Sequence, residues 1–331
     1  MPEIDNTRNQ LFDSVKKSAW IIGSALLVFI AFRNSLTWHA QTVWGASGDF
    51  WQSQWIKFHN LFGGDVLLIG FLGTFFVTVF SYWMFNAFFL MLDIFGPPGY
   101  LLKYKVQETE NNPVDPYKLR KAIKMIMFNQ TVIGIPFLYW LYRMMLLRGN
   151  SFGQELPSFQ WVVWEIFLMI WVEEFGFYYS HRLLHHPRFY KYIHKRHHEW
   201  TASISIVSIY AHPIEHVVSN MIPPALGVLI VGSHIATAWM WFTIVLGSTT
   251  IAHCGYHLPF LPSPEAHDFH HLRFNYNFGV LGVLDRLHGT DEAFRRSKQY
   301  ERHFMLLSLL PVKEMIPNPV KKCDSKETFV E

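Results

Sequence analysis

Apolar residues along this chain fall into long runs separated by shorter polar stretches. Residues 1–17 are polar and end on Lys16 and Lys17, so no cleavable signal peptide is expected; an apolar run then covers Ser18–Phe32 and reaches toward Trp38. Residues 33–64 are polar again but hold Trp38, Trp44, Trp51 and Trp55, and tryptophan collects at membrane interfaces. Val66–Leu92 is long enough to cross a bilayer, whose core takes about 20 helical residues. Gly96-Pro97-Pro98-Gly99 breaks that run, and a basic stretch follows with Lys103, Lys105, Lys118, Arg120, Lys121 and Lys124. Met125–Leu147 predicts a third span and Phe159–Tyr179 a fourth. Beyond them, Val217–Ile251 is almost wholly apolar again. Its length suits two short helices at about 1.5 Å per residue, with Gly232-Ser233 as the turn and Pro223-Pro224 as a break or start. The pattern predicts an all-α integral membrane protein of four transmembrane helices plus a membrane hairpin.

Composition agrees. Half of the 331 residues are apolar, 17% are aromatic, and 16% are charged, against about 25% in soluble domains. A formal charge of +3 is too small and dispersed to argue for nucleic acid. Cys254 and Cys323 are the only cysteines, which excludes a disulfide framework and a thiolate zinc site. Lysine and arginine concentrate in the N-terminal tail and in 103–124, while 33–64 holds only Arg33 and Lys57. The positive-inside rule then places the basic segments in the cytosol, and with four spans the chain emerges on the cytosolic side at His181.

The candidate chemistry lies in histidine. His181 and His185 stand at i,i+4; His194, His197 and His198 follow; His253 and His257 repeat the i,i+4 spacing; His267, His270 and His271 repeat the triplet. On a helix each group would point its rings at one spot. These ten rings, of eighteen histidines in all, are too many for one ion, so two metals are expected. Neutral imidazole suits iron, zinc, copper or nickel. For the first two groups to meet the last two, 217–251 must return to the side it left, which is why a hairpin is expected and a single span is not. His186 competes with His185 but falls off the stripe formed by Glu174, Tyr178, His181 and His185. A buried carboxylate such as Glu174 could accept the second ring proton of a metal-bound histidine. His212 and Glu215 in Ala211–His216 are expected around the ligands, and His212, beside Pro213, as an orienting residue. Tyr276, Asn277 and Asp285 read as a polar surround.

His-x3-His at 181–185 and His-x2-His-His at 194–198 and 267–271 resemble the fatty acid hydroxylase/sterol desaturase superfamily. The similarity covers most of 160–292. Within it, Tyr210-Ala211-His212-Pro213, His253-Cys254-Gly255-Tyr256-His257 and Asp285-Arg286-Leu287-His288-Gly289-Thr290 look like the C4-methylsterol monooxygenase branch. The resemblance implies a membrane-bound di-iron monooxygenase of the endoplasmic reticulum, using O2 and electrons from NAD(P)H through cytochrome b5 and its reductase. Its substrate would be a 4-methylsterol, with fatty acyl or sphingolipid hydroxylation and sterol desaturation as the nearest alternatives. A non-catalytic lipid- or metal-binding regulator is a further one. No His-Pro-Gly-Gly haem motif occurs, so the cytochrome would be a separate partner. The expected division is a cytosolic tail at 1–17, a transmembrane region at 18–158, a catalytic domain at 159–292 that caps the membrane with its two metals, and a cytosolic tail at 293–331.

Overall fold

The computed structural model describes residues 2–318; the end of the expected C-terminal tail, 319–331, lies outside them. The chain divides into two units, residues 1–61 and 62–331. The first is a single helix, α1 (Pro2–Leu61). The expected polar tail to residue 17, the apolar run at 18–32 and most of the polar stretch at 33–64 thus share one helix. Between Pro2 and Pro97 no proline occurs, so no residue there lacks a helical N–H donor and the polar stretches continue the helix.

The second unit is also helical; among the described residues it has one isolated antiparallel bridge, Lys105 to Tyr256, and no strand. Among the described residues four helices are long and apolar enough to cross a membrane: α2 (Leu68–Phe95), α3 (Pro116–Arg148), α5 (Pro213–Val231) and α6 (Ile235–His253). The last two are the arms of the expected hairpin, turning at Gly232 in the left-handed conformation, with His234 capping α6. This is a multi-pass membrane protein. The expected fourth span forms α4 (Phe159–Leu184), but it buries Glu165, Glu173 and Glu174 and so falls outside the apolar set. Phe76, Phe80, Trp164 and Phe167 point outward from this unit, as lipid-facing residues do.

Two features of the packing position the site. Helices α4 and α5 run against each other, and a Cβ on Gly176 would lie 2.9 Å from the Pro223 side chain, so only glycine allows that approach. Prolines also loosen two of the spans. Pro136 follows a π-helical turn at Asn129–Ile133, and Pro223-Pro224 follow another at His216–Met221. Proline removes an N–H and clashes with the carbonyl four residues back, which favours a wider turn there.

The ends of the bundle are tied separately. At one end Val106 N donates to Gly255 O, Asn111 Nδ2 to Ala202 O and Gln107 Nε2 to Asp268. At the other, Ile235 N donates to Ser151 O and Asn150 Nδ2 to Ser233 O. The basic 103–124 stretch therefore begins at the end that holds all the histidine groups.

Candidate metal centre

Nine of the ten expected histidines converge, in two sets. His181, His185, His194, His198 and His270 form one; His197, His253, His267 and His271 form the other; in each set one nitrogen per ring lies within 4.8 Å of all the rest. The partition follows from local geometry. His181 and His185 stand on the last turns of α4, His194, His197 and His198 on a 3₁₀ turn (His194–Glu199), and the last triplet on α7 (Glu265–Arg273). The i,i+4 pairs 181/185, 194/198 and 267/271 each stay within one set, while the i+3 residues His197 and His270 cross to the other. Both triplets therefore bridge the two sets, and His253, at the end of α6, completes the second.

Hydrogen bonds fix the ring tautomers. Nδ1 of His181 donates to Phe278 O (2.8 Å), of His197 to Tyr210 O (3.2 Å), of His253 to Thr249 O (2.8 Å), of His270 to Tyr276 O (2.6 Å) and of His271 to Trp200 O (2.9 Å). Nδ1 of His194 faces Glu215 Oε1 at 2.8 Å. The five carbonyls are acceptors only, so in those five rings the proton sits on Nδ1 and Nε2 presents a bare lone pair. Two of these lone pairs face each other, His253 Nε2 lying 3.3 Å from His197 Nε2, and His181 Nε2 lies 3.1 Å from His194 Nε2. His270 Nε2 is buried without a hydrogen-bond partner. Opposed lone pairs in a buried site repel unless a positive charge lies between them. Protons are disfavoured there. Burial first, and neighbouring imidazoles second, hold His194, His198, His267, His270 and His271 well below the usual range, and burial pushes His197 down to about 4. Metal cations fit the donor set: neutral nitrogens only, buried, with their tautomers preset by outer acceptors.

The other expected residues divide. His257 joins neither set. Helix α6 ends at His253 and Gly255 adopts φ +71°, so the i,i+4 spacing that would have aligned His257 does not operate. Its ring instead contacts Glu265 (3.5 Å) and Phe304 O (2.9 Å). His185 lies in the first set, whereas His186 is exposed and caps a short helix through Arg188 N. Glu174 does not meet a ring proton; its carboxylate accepts the backbone N–H of Val280, Leu281 and Leu284. The carboxyl group that faces a ring of the two sets is Glu215, 2.8 Å from His194.

Asp285 accepts Phe278 N and Gly279 N, so Glu174 and Asp285 together fasten the loop whose carbonyls orient His181 and His270. Tyr178 packs under it against Phe278 and His288. Asn277 donates to Ala266 O, and Tyr276 contributes its carbonyl. His212 caps the start of α5 through Ile214 N. The orienting carbonyls of Trp200, Tyr210, Thr249 and Phe278 carry no signal in sequence, since every residue has one.

A cavity of about 520 Å³ opens onto the second set at His253 and His267. Along α6 its lining runs from Trp241 to His253, about 18 Å at 1.5 Å per residue. Phe137, Leu138, Ile170, Trp241 and Phe242 make most of the wall apolar, and the size is within the range of small-molecule sites.

Residues 166–290 match the family model described as fatty acid hydroxylase. Fatty acid hydroxylase domain-containing protein 2 of Macaca fascicularis is 51% identical over 94% of this chain and 94% of its own. A fatty acid hydroxylase of Mycosarcoma maydis is 38% identical over 62% of this chain and 54% of its own. Methylsterol monooxygenase 2-2 of Arabidopsis thaliana is 32% identical over 60% and 78%. No solved structure matches the chain. Helical architecture, paired imidazole sets and these relatives agree: the chain belongs to the fatty acid hydroxylase family.

Proposed function

We propose that this protein is a membrane-bound non-haem di-iron monooxygenase that oxidises the C4-methyl group of a 4-methylsterol. The observation that carries the reading is the meeting of nine inward-facing imidazoles with an apolar cavity sunk among membrane helices. His181, His185, His194, His198 and His270 would hold one iron, and His197, His253, His267 and His271 the other. Bound iron would supply the reduction of dioxygen and attack on an unactivated C–H bond. The chain's own residues do the rest. Carbonyls of Trp200, Tyr210, Thr249, Tyr276 and Phe278 keep the Nδ1 protons in place, and the aromatic wall receives the apolar body of the lipid and excludes water. The sterol substrate is supported by the branch motifs at 210–213 and 253–257 and by the relative named as a methylsterol monooxygenase. Cells lacking the protein should accumulate 4-methylated sterols, and wild type should clear them. The relative named as a fatty acid hydroxylase favours a second reading, in which 2-hydroxylated acyl chains fall while methylsterols stay unchanged.

Electrons would come from NAD(P)H through cytochrome b5 and its reductase. They would enter at the cytosolic face of the endoplasmic reticulum membrane, because the basic 103–124 stretch begins at the end of the bundle that holds the histidines. Tags at 186–200 and at 258–318 should both be cut by protease in vesicles exposing the cytosolic face. One cut and one protected would refute the shared side.

A further inference from the structure

The π-helical turn His216–Met221 supplies the cavity wall with His216, Ser219 and Asn220. Ser219 is 2% exposed and its Oγ has no hydrogen-bond partner among the described residues. A buried hydroxyl left unpaired is costly, so the group awaits a partner from the cavity it lines. The same turn carries a second source of polarity. Pro223 and Pro224 lack an N–H, so neither can supply the usual α-helical bond to the carbonyls of Ser219 and Asn220. The turn also lies close to the imidazoles: Glu215, which faces His194 at 2.8 Å, immediately precedes it, and Ser219 is one turn further, about 6 Å along the axis.

We propose that this turn docks a hydroxyl of the substrate, with Ser219 Oγ as its main partner. The oxidised carbon would then lie within a few bonds of the carbon bearing the hydroxyl. This rests on the cavity being the substrate site, and it agrees with a 3-hydroxysterol oxidised at the neighbouring carbon. Two competing anchors line the same cavity, Ser208 with Oγ and Glu173 with Oε2 unpaired among the described residues. Glu173 precedes His181 by eight residues, about 12 Å of helix, so a hydroxyl held there would be remote from the oxidised carbon.

The test uses the full chain in nanodiscs and equilibrium binding of labelled probes: 4,4-dimethylcholestan-3β-ol against its 3-O-methyl ether, and hexadecanol against its methyl ether. Wild type should prefer alcohol over ether by about threefold to tenfold, the range of one neutral hydrogen bond. Ser219→Ala should bring that ratio to within about twofold, Ser219→Thr should restore it, and Glu173→Gln should leave it unchanged. A preference that survives Ser219→Ala, disappears in Glu173→Gln, or is absent from wild type would overturn the anchor. Preference for hexadecanol without sterol binding would keep the anchor and overturn the sterol substrate. Sterol binding without preference would do the reverse.

Discussion

Replacing His197 with alanine should abolish clearance of methylsterols and lower the metal content from two ions per chain toward one. His197 is one of four rings in the second set, and that set lines the cavity through His253 and His267. Three rings would remain there, and the gap left by the imidazole would leave the lone pair of His253 without its neighbour at 3.3 Å. Loss of a ligand should exceed the 10–100-fold effect expected from losing an outer partner. The first set, five rings that do not include His197, should keep its ion. Full metal content with normal turnover in the variant would show that His197 is not a ligand. Metal and lipid should be read from the same preparation, because a variant that merely misfolds loses both ions.

Glu215→Ala is expected to weaken metal retention by about 10–100-fold without removing any ligand. The Glu215 carboxylate faces His194 Nδ1 at 2.8 Å, and both groups are buried. Without it, His194 Nδ1 loses the carboxyl oxygen that it now faces. The ring could then flip or change tautomer. Glu215→Gln retains a carbonyl acceptor and should fall between the two. Glu174→Gln is the informative contrast, since Glu174 holds backbone of the 280–284 segment and touches no ligand ring. Competition with a chelator of known affinity separates these cases; equal retention in Glu215→Ala and wild type would remove Glu215 from the centre.

What could be read from the chain and what could not divides along the range of the interaction. The histidine spacing was informative because i,i+4 neighbours share a helical face, and 181/185, 194/198 and 267/271 do end in common sets. The crossing of His197 and His270 to opposite sets was not legible, because it depends on where a 3₁₀ turn and α7 meet. His257 was misplaced by extending α6 past a glycine that ends it. Glu215 lies beside a ring as expected, but Glu174 does not, because a one-dimensional stripe aligns Glu174 with His181 whereas tertiary packing brings the start of α5 against His194. The hairpin was legible from its length, its Gly232 turn and the chemical need to reunite the histidines. The continuous α1 was not, because hydropathy divides its sequence into polar and apolar stretches, and polarity does not end a helix that no proline interrupts.

Elemental analysis of the purified full chain, kept anaerobic and iron-replete, tests the central claim most directly. Two buried sets of opposed imidazole lone pairs predict two ions per chain, with iron in the active form and zinc able to replace it. One ion per chain, or none in a protein that is folded, would contradict the account.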